Sequence, residues 1–225
     1  MEFRDRVDAG RRLAERLGHL RGPDTVVLGL PRGGVPVAYE VARALAAPLD
    51  VILVRKLGVP LHEEVGFGAL GEDGIRVLNA DIMRMSRVDE DDLAEVQAHE
   101  ETKLARQAEA FRAGRPRVPL DGRTAVVVDD GVATGSTASA ACRVARAHGA
   151  ARVVLAVPVS ATDAARALAA EVDELVCLMT PPVFFAVGEW YQDFSQTEDE
   201  EVVDLLRRGN AAQGAGPGGG NRAGP

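Results

Sequence analysis

The residues best equipped for chemistry lie together in Thr124-Ala125-Val126-Val127-Val128-Asp129-Asp130-Gly131-Val132-Ala133-Thr134-Gly135-Ser136-Thr137. An apolar run ends in two adjacent carboxylates, and a small-residue loop with three hydroxyls then leads into an Ala-rich helical pattern. Two acids at the end of a buried strand are unusual, because ionised side chains are rarely buried unless paired. Asp129 and Asp130 are suited to accept hydrogen bonds from two vicinal hydroxyls, as on a ribose. Backbone N–H groups at the helix start, together with the Thr134, Ser136 and Thr137 hydroxyls, suit a phosphate monoester. A sugar phosphate satisfies both halves. The competing reading is that the acids cap the loop and the hydroxyls cap the helix.

Two other phosphate-binding patterns are excluded. A Walker A loop needs a Lys before its Ser/Thr, and Gly135-Ser136-Thr137 has none. Gly66-Phe67-Gly68-Ala69-Leu70-Gly71 matches GxGxxG in letters, but a turn and a second strand-like run follow where a dinucleotide site requires a helix. Three further stretches stand out. Leu30-Pro31-Arg32-Gly33-Gly34 is either a plain turn or a tight loop in which the glycines permit strained backbone. Val54-Arg55-Lys56-Leu57 puts two cations side by side, so on a strand one faces a site and the other faces away. Only two of the 26 basic residues are lysines, Lys56 and Lys103, which makes Lys56 worth explaining. Five of the nine aromatics (Phe184, Phe185, Trp190, Tyr191, Phe194) fall within eleven residues, either as a stacking platform for a flat ring or as the core of a small subdomain.

The elements that must position these residues follow from periodicity. Apolar runs at Thr25–Leu30, Asp50–Val54, Thr124–Val128, Arg152–Val157 and Val172–Leu178 alternate with helical patterns at Val35–Ala46, Ser136–His148 and Asp163–Ala169. That pattern predicts a doubly wound parallel α/β sheet, with ligands outside the C-terminal strand ends. Met1–Gly18 reads as an amphipathic surface helix and not as a signal peptide. Between the second and third strands lies an insertion. Gly66–Leu70 and Gly74–Leu78 flank a Glu72-Asp73-Gly74 turn, and Ser86–Ala113 is expected as one long helix opened by Ser86 and Asp89. A Thr197–Glu200 capping box opens a C-terminal helix expected to end near Arg208. The expected organisation is a single domain over 1–208, with a core of about 20–57 and 120–178, an insertion over 58–115 that holds the long helix, and a C-terminal segment over about 179–208. Residues 209–225, rich in Gly, Ala and Pro, are expected to be a disordered tail.

The 225 residues are 46% hydrophobic and 27% charged, as in a globular domain, with a net charge of −8 that opposes nonspecific binding to nucleic acid or an anionic membrane. Cys142 and Cys177 lack metal-ligand spacing and read as apolar fillers. No apolar window reaches the length of a membrane span, so a cytoplasmic location is expected.

Val126 to Thr137 resembles the signature of the type I phosphoribosyltransferases: an apolar strand, two acids, a small loop and Thr-Gly-x-Thr. Roughly Arg4 to Leu206 is similar to a subgroup of predicted phosphoribosyltransferases with no well-defined acceptor. The resemblance implies that Asp129 and Asp130 hold the ribose hydroxyls of phosphoribosyl pyrophosphate (PRPP). Gly131, Val132, Ala133, Thr134, Gly135, Ser136 and Thr137 would cradle its 5′-phosphate. It implies a pyrophosphate loop at Arg32, Gly33 and Gly34, a pyrophosphate role for Arg55 and Lys56, and catalytic roles for Asp129, Asp130, Arg32 and Lys56. By the resemblance, 58–115 is a lid and helical insertion and about 179–208 a hood; Gly58 to Gly74 corresponds to the mobile loop that closes over PRPP, with His62 and Glu64 either contributing to catalysis or solvated. Phe184, Phe185, Val187 and Trp190 would meet the acceptor. Mg²⁺ would arrive with PRPP, with Asp129 or Asp130 as its protein contact. The implied reaction is transfer of the phosphoribosyl group to a nitrogen of a nucleobase or similar heterocycle. The implied partners are PRPP, a small heterocycle and a second copy of the chain in a homodimer. Ala133 stands where 6-oxopurine enzymes carry an Asp base, the Gly188-to-Asp193 spacing is one residue longer than theirs, and no Lys precedes it, which disfavours guanine and hypoxanthine. The alternative is a non-catalytic PRPP-binding regulator of the same fold. A hydrolase lacks a nucleophile paired with a base in any motif.

Overall fold

The computed structural model describes residues 2–60 and 62–214. Five strands form the main sheet: β1 (Thr25–Gly29), β2 (Leu49–Val51), β6 (Thr124–Val128), β7 (Arg152–Val159) and β8 (Glu174–Met179), in the order β2-β1-β6-β7-β8 and all parallel. The strand runs are continuously apolar because both faces are covered. Val27, Val126, Val128, Val154 and Ala156 point into one cluster with helices α1 (Arg6–Arg16), α2 (Gly34–Leu45) and α7 (Asp199–Gly214). Their neighbours Val26, Leu28, Val127, Val153 and Leu155 point into the other, with α5 (Ser136–Ala147) and α6 (Thr162–Ala169). The chain winds outward from β1 to β2 and, after the insertion, outward again from β6 to β8. The winding direction therefore reverses between β1 and β6, and the loops leaving those two strands meet at the crevice where such sheets bind ligands.

The insertion holds a three-stranded antiparallel sheet of β3 (Arg55–Val59), β4 (His62–Leu70) and β5 (Arg76–Leu78), followed by helices α3 (Ala80–Ser86) and α4 (Glu90–Arg112). Leu57, Val59, Phe67 and Leu70 pack with Leu93 of α4 as a satellite core. A buried guanidinium joins this unit to the main sheet. Arg112 Nε donates to Asp50 Oδ1 at 2.8 Å, Nη2 donates to the Val51 carbonyl at 3.2 Å and to Glu72 Oε2 at 2.9 Å, and Nη1 also meets Glu72. Val118 N–H completes Asp50 through Oδ2 at 2.8 Å.

Several expectations are corrected. The second parallel strand ends at Val51 and not at Val54; Ile52 N–H makes a last bond to the Gly29 carbonyl at 3.1 Å, and Ile52 and Leu53 stay buried as the chain crosses to β3. Most of the segment from Gly58 to Gly74, on which the expected closing role falls, is a paired ribbon with Phe67 and Leu70 buried at its base. The long helix does not start at Ser86. Arg87 adopts left-handed backbone (φ 56°), and a reciprocal capping box between Asp89 and Asp92 starts α4 at Glu90. The C-terminal helix continues past Arg208 to Gly214, with Asn210 Nδ2 donating to the Leu49 carbonyl at 3.0 Å, so 209–214 are not tail; the remainder, 215–225, lies outside the described residues. Among the described residues no helix is long and apolar enough to cross a membrane.

Replacing Arg112 strands two carboxylates in the interior. Arg112→Leu is expected to lower unfolding free energy by about 3–5 kcal/mol, whereas Arg166→Ala, which breaks an exposed pair with Asp163, is expected to cost less than about 1 kcal/mol. Urea unfolding of the two variants beside the parent checks both.

Candidate functional site

β6 delivers Asp129 and Asp130 to the sheet's switch point, and three segments close around them. The first is the loop after β1. Leu30 N–H donates to the Val128 carbonyl at 2.9 Å, locking this loop to the end of β6, and the Pro31–Arg32 peptide is cis. Gly33 has ordinary helical backbone (φ −61°), so the expectation of strained glycine backbone is corrected. The demand for glycine comes from proximity. A β-carbon on Gly33 would collide with Asp130 Oδ2, and one on Gly34 would lie 2.6 Å from the Val128 carbonyl oxygen and 2.9 Å from Asp129 Cα.

The second segment is the loop from Gly131 into α5. Val132 N–H donates to the Val159 carbonyl and the Val132 carbonyl accepts from Ala161 N–H, both at 2.9 Å, which ties the loop to the end of β7. Ala133, Thr134, Ser136 and Thr137 line its outer side, all four exposed. Gly135 caps α5 with φ 83°, a conformation only glycine adopts freely, and it supplies no side chain to the helix start. The amides of the first turn therefore lie open beside the Thr134 and Ser136 hydroxyls, which are 3.3 Å apart.

The third segment runs from Phe184 to Ser195. Phe3 bridges to Tyr191, and the Tyr191 hydroxyl donates to the Asp130 carbonyl at 2.5 Å. Val187 closes over Gly131, leaving no room there for a β-carbon. Phe184 and Trp190 pack into the cluster of Phe3, Val159 and Tyr191, with the Trp190 Nε1 buried and without a hydrogen-bond partner among the described residues, while Phe185 is 80% exposed. Most of the aromatic group thus serves as core.

The paired cations separate as strand alternation requires. Arg55 turns to α4, its Nη2 donating to Gln107 Oε1 at 3.1 Å. Lys56 lies in a groove of about 510 Å³ with Ser136, Thr137 and Arg143. Arg32, half-exposed, faces Asp199 at 3.6 Å and Glu198 at 4.0 Å at the start of α7. His62 is exposed at the start of β4, and the side chain of Glu64 lies outside the described ones.

Burial, reinforced by the neighbouring Asp130, holds the Asp129 carboxyl well above the usual carboxylate range, opposed by the Asp130 N–H that it accepts at 2.9 Å and by Arg6. Burial also raises Asp130, with Arg6 pulling the other way. Arg6 is not among the residues expected at the site. Its Nε donates to Asp130 Oδ2 at 2.9 Å, and its guanidinium stacks 4.1 Å from the Phe194 ring centre. As one of five arginines between Met1 and Arg16, it carries no local signal that separates it from its solvated neighbours. The assembled site offers carboxyl oxygens for hydroxyls or a hard cation, an anion-facing helix start, and a backbone loop between them.

Residues 4–193 match the family model described as "Phosphoribosyl transferase domain". A Mycobacterium tuberculosis protein named "Putative phosphoribosyl transferase Rv0571c" is 59% identical over 206 residues, 92% of this chain and 46% of that protein; MT0597, from another strain, matches equally. The chain spans about half the length of these curated relatives. The crystal structure of TT1426 from Thermus thermophilus matches with a TM-score of 0.85 at 46% identity, covering 92% of this chain and 99% of that one.

Gly34→Ala forces backbone apart at the acid pair and is expected to cost about 1–3 kcal/mol. Gly22→Ala, where nothing lies within 4 Å of the new β-carbon, is expected to leave stability within about 0.5 kcal/mol. Thermal unfolding of both variants reads the difference.

Proposed function

The chain belongs to the phosphoribosyl transferase family, and from that premise we propose that it moves the 5-phosphoribosyl group of PRPP to a ring nitrogen of a nucleobase or similar heterocycle, releasing pyrophosphate. The observation that carries this reading is the meeting of the acid pair, the Gly33-Gly34 loop and the open start of α5 at one crevice. Asp129 and Asp130 accept the ribose hydroxyls. The 5′-phosphate sits on the amides and hydroxyls from Gly131 to Thr137, and pyrophosphate lies against Arg32, Gly33 and Gly34.

During transfer the bond from the anomeric carbon to the pyrophosphate oxygen breaks, its electron pair leaving with pyrophosphate, as the ring nitrogen bonds to that carbon. Positive charge grows on the ribose and negative charge on the leaving group. Arg32 stabilises the latter after giving up its exposed contacts with Glu198 and Asp199, an inexpensive exchange. Lys56, on the α5 side of β3, is the better placed of the paired cations, with Arg55 anchoring the ribbon to α4. Ala133 provides no side-chain proton acceptor, so the proton of the attacking nitrogen passes to an oxygen of the departing pyrophosphate. Val187 over Gly131 and exposed Phe185 border the acceptor's approach.

Among the described residues no group of three or more His, Cys, Asp or Glu forms a metal cage. Two adjacent carboxylates beside a phosphate cradle nevertheless fit Mg²⁺, which binds through one or two carboxylates plus substrate phosphates. Asp129 or Asp130 would hold it, and when bound it would neutralise charge on pyrophosphate.

A regulator that binds PRPP without turning it over is the second reading, favoured by one observation: Ala133 supplies no side-chain base beside the acid pair.

Pyrophosphate release from PRPP and Mg²⁺, measured with and without a pool of purine and pyrimidine bases, tests the reading. Base-dependent release that falls about 100-fold or more in Asp130→Asn is expected. PRPP binding without release would favour the regulator, and neither binding nor release would overturn both.

A further inference from the structure

Arg6 stands in the first turn of α1, far in sequence from the acid pair, and its guanidinium makes three contacts at once. Nε donates to Asp130 Oδ2 at 2.9 Å, Nη1 donates to the Ser195 carbonyl at 2.6 Å, and the Phe194 ring centre lies 4.1 Å away. The side chains of Arg6 and Asp130 are only 12% and 14% exposed. A charge-assisted hydrogen bond in so sheltered a place is strong, and breaking it leaves an uncompensated carboxylate next to Asp129. A second fact makes the position of Asp130 Oδ2 consequential: it occupies the space that a β-carbon on Gly33 would take, at the expected pyrophosphate loop.

Two unshielded carboxylates at this point would repel any ligand that carries several phosphate charges. We infer that Arg6 is a positioning residue for the sugar diphosphate, acting through Asp130. It offsets the negative charge on Asp130 that a polyanion must approach, and it holds Oδ2 against the glycine loop so that Oδ1 remains for a sugar hydroxyl. The inference rests on the PRPP reading above. Arg6 is not needed to hold the termini together. Phe3 N–H donates to the Trp190 carbonyl and Gln192 N–H to the Phe3 carbonyl, both at 2.8 Å, and Tyr191 bonds Asp130 independently. Lysine at this position keeps the charge but gives up the fork that reaches Asp130 and Ser195 together.

The test is a double-mutant cycle read by calorimetric titration of PRPP with Mg²⁺ at fixed ionic strength, using Arg6→Gln, Arg6→Lys, Asp130→Asn and Arg6→Gln/Asp130→Asn. Arg6→Gln is expected to weaken PRPP binding about tenfold or more, and Arg6→Lys by less. In the Asp130→Asn background, Arg6→Gln is expected to change affinity by less than about twofold. Equal fold losses in both backgrounds would overturn the inference while leaving the PRPP site standing. Failure of the parent protein to bind PRPP would overturn the functional reading and this inference with it. If Arg6→Gln does not fold, the cycle is run with Arg6→Lys, and additivity remains the contradicting result.

Discussion

Two carboxylates on neighbouring residues, at the end of a strand buried on both faces, repel each other and have little water to screen them. Much of the architecture around β6 answers that constraint. The loop after β1 brings backbone against the pair, which is possible because Gly33 and Gly34 have no β-carbons. Arg6 arrives from α1 with a counter-charge, and Tyr191 arrives from the C-terminal segment to bond the Asp130 carbonyl. Segments near both ends of the chain and the middle of the sheet thus depend on one another through a few atoms. Nothing in the hydrophobic core requires two acids here. A core formed by Val26 to Leu28 and Val126 to Val128 has no need of charge at 129 and 130, so the acids and their compensation answer to something other than packing.

A second buried charge has a structural role. Arg112 joins α4, β2 and the turn ahead of β5 through Asp50 and Glu72. Such a network adds little net stability over an apolar equivalent, but it imposes one geometry. That geometry sets the antiparallel sheet beside α5, and so puts Lys56 in the same groove as Ser136 and Thr137. Lys56 and the loop into α5 come together because the insertion is tied down on its far side.

The parallel sheet is legible in the sequence because double-sided burial writes uninterrupted Val and Leu runs, and the Asp-Asp-to-Thr137 motif is legible because acids interrupt such a run so abruptly. Where apolar character has another cause, periodicity misleads. Leu53 is as apolar as a strand residue, but it is buried in a segment that has left the sheet after the last bond from Ile52. Ser86 offers a plausible cap, yet Asp89 with Asp92 satisfies two backbone donors reciprocally and takes the helix start. The turn at Glu72-Asp73-Gly74 makes the pairing of Gly66–Leu70 with β5 legible, whereas the pairing of β3 with the first half of β4, broken by register shifts near Gly58, has no such signal. Arg6 lies beyond reach for a different reason: its partner is 124 positions away, and no local pattern records a contact that only the fold creates.

If the crevice between β1 and β6 holds the sugar diphosphate through the acid pair, a crystal structure of the protein with Mg²⁺ and PRPP tests it most directly. The predicted result places the ribose hydroxyls on the Asp129 and Asp130 carboxylates, the 5′-phosphate on the loop from Gly131 to Thr137, and pyrophosphate against Arg32 to Gly34. Ligand density bound elsewhere, with the Asp129 and Asp130 carboxyl groups untouched, would contradict it.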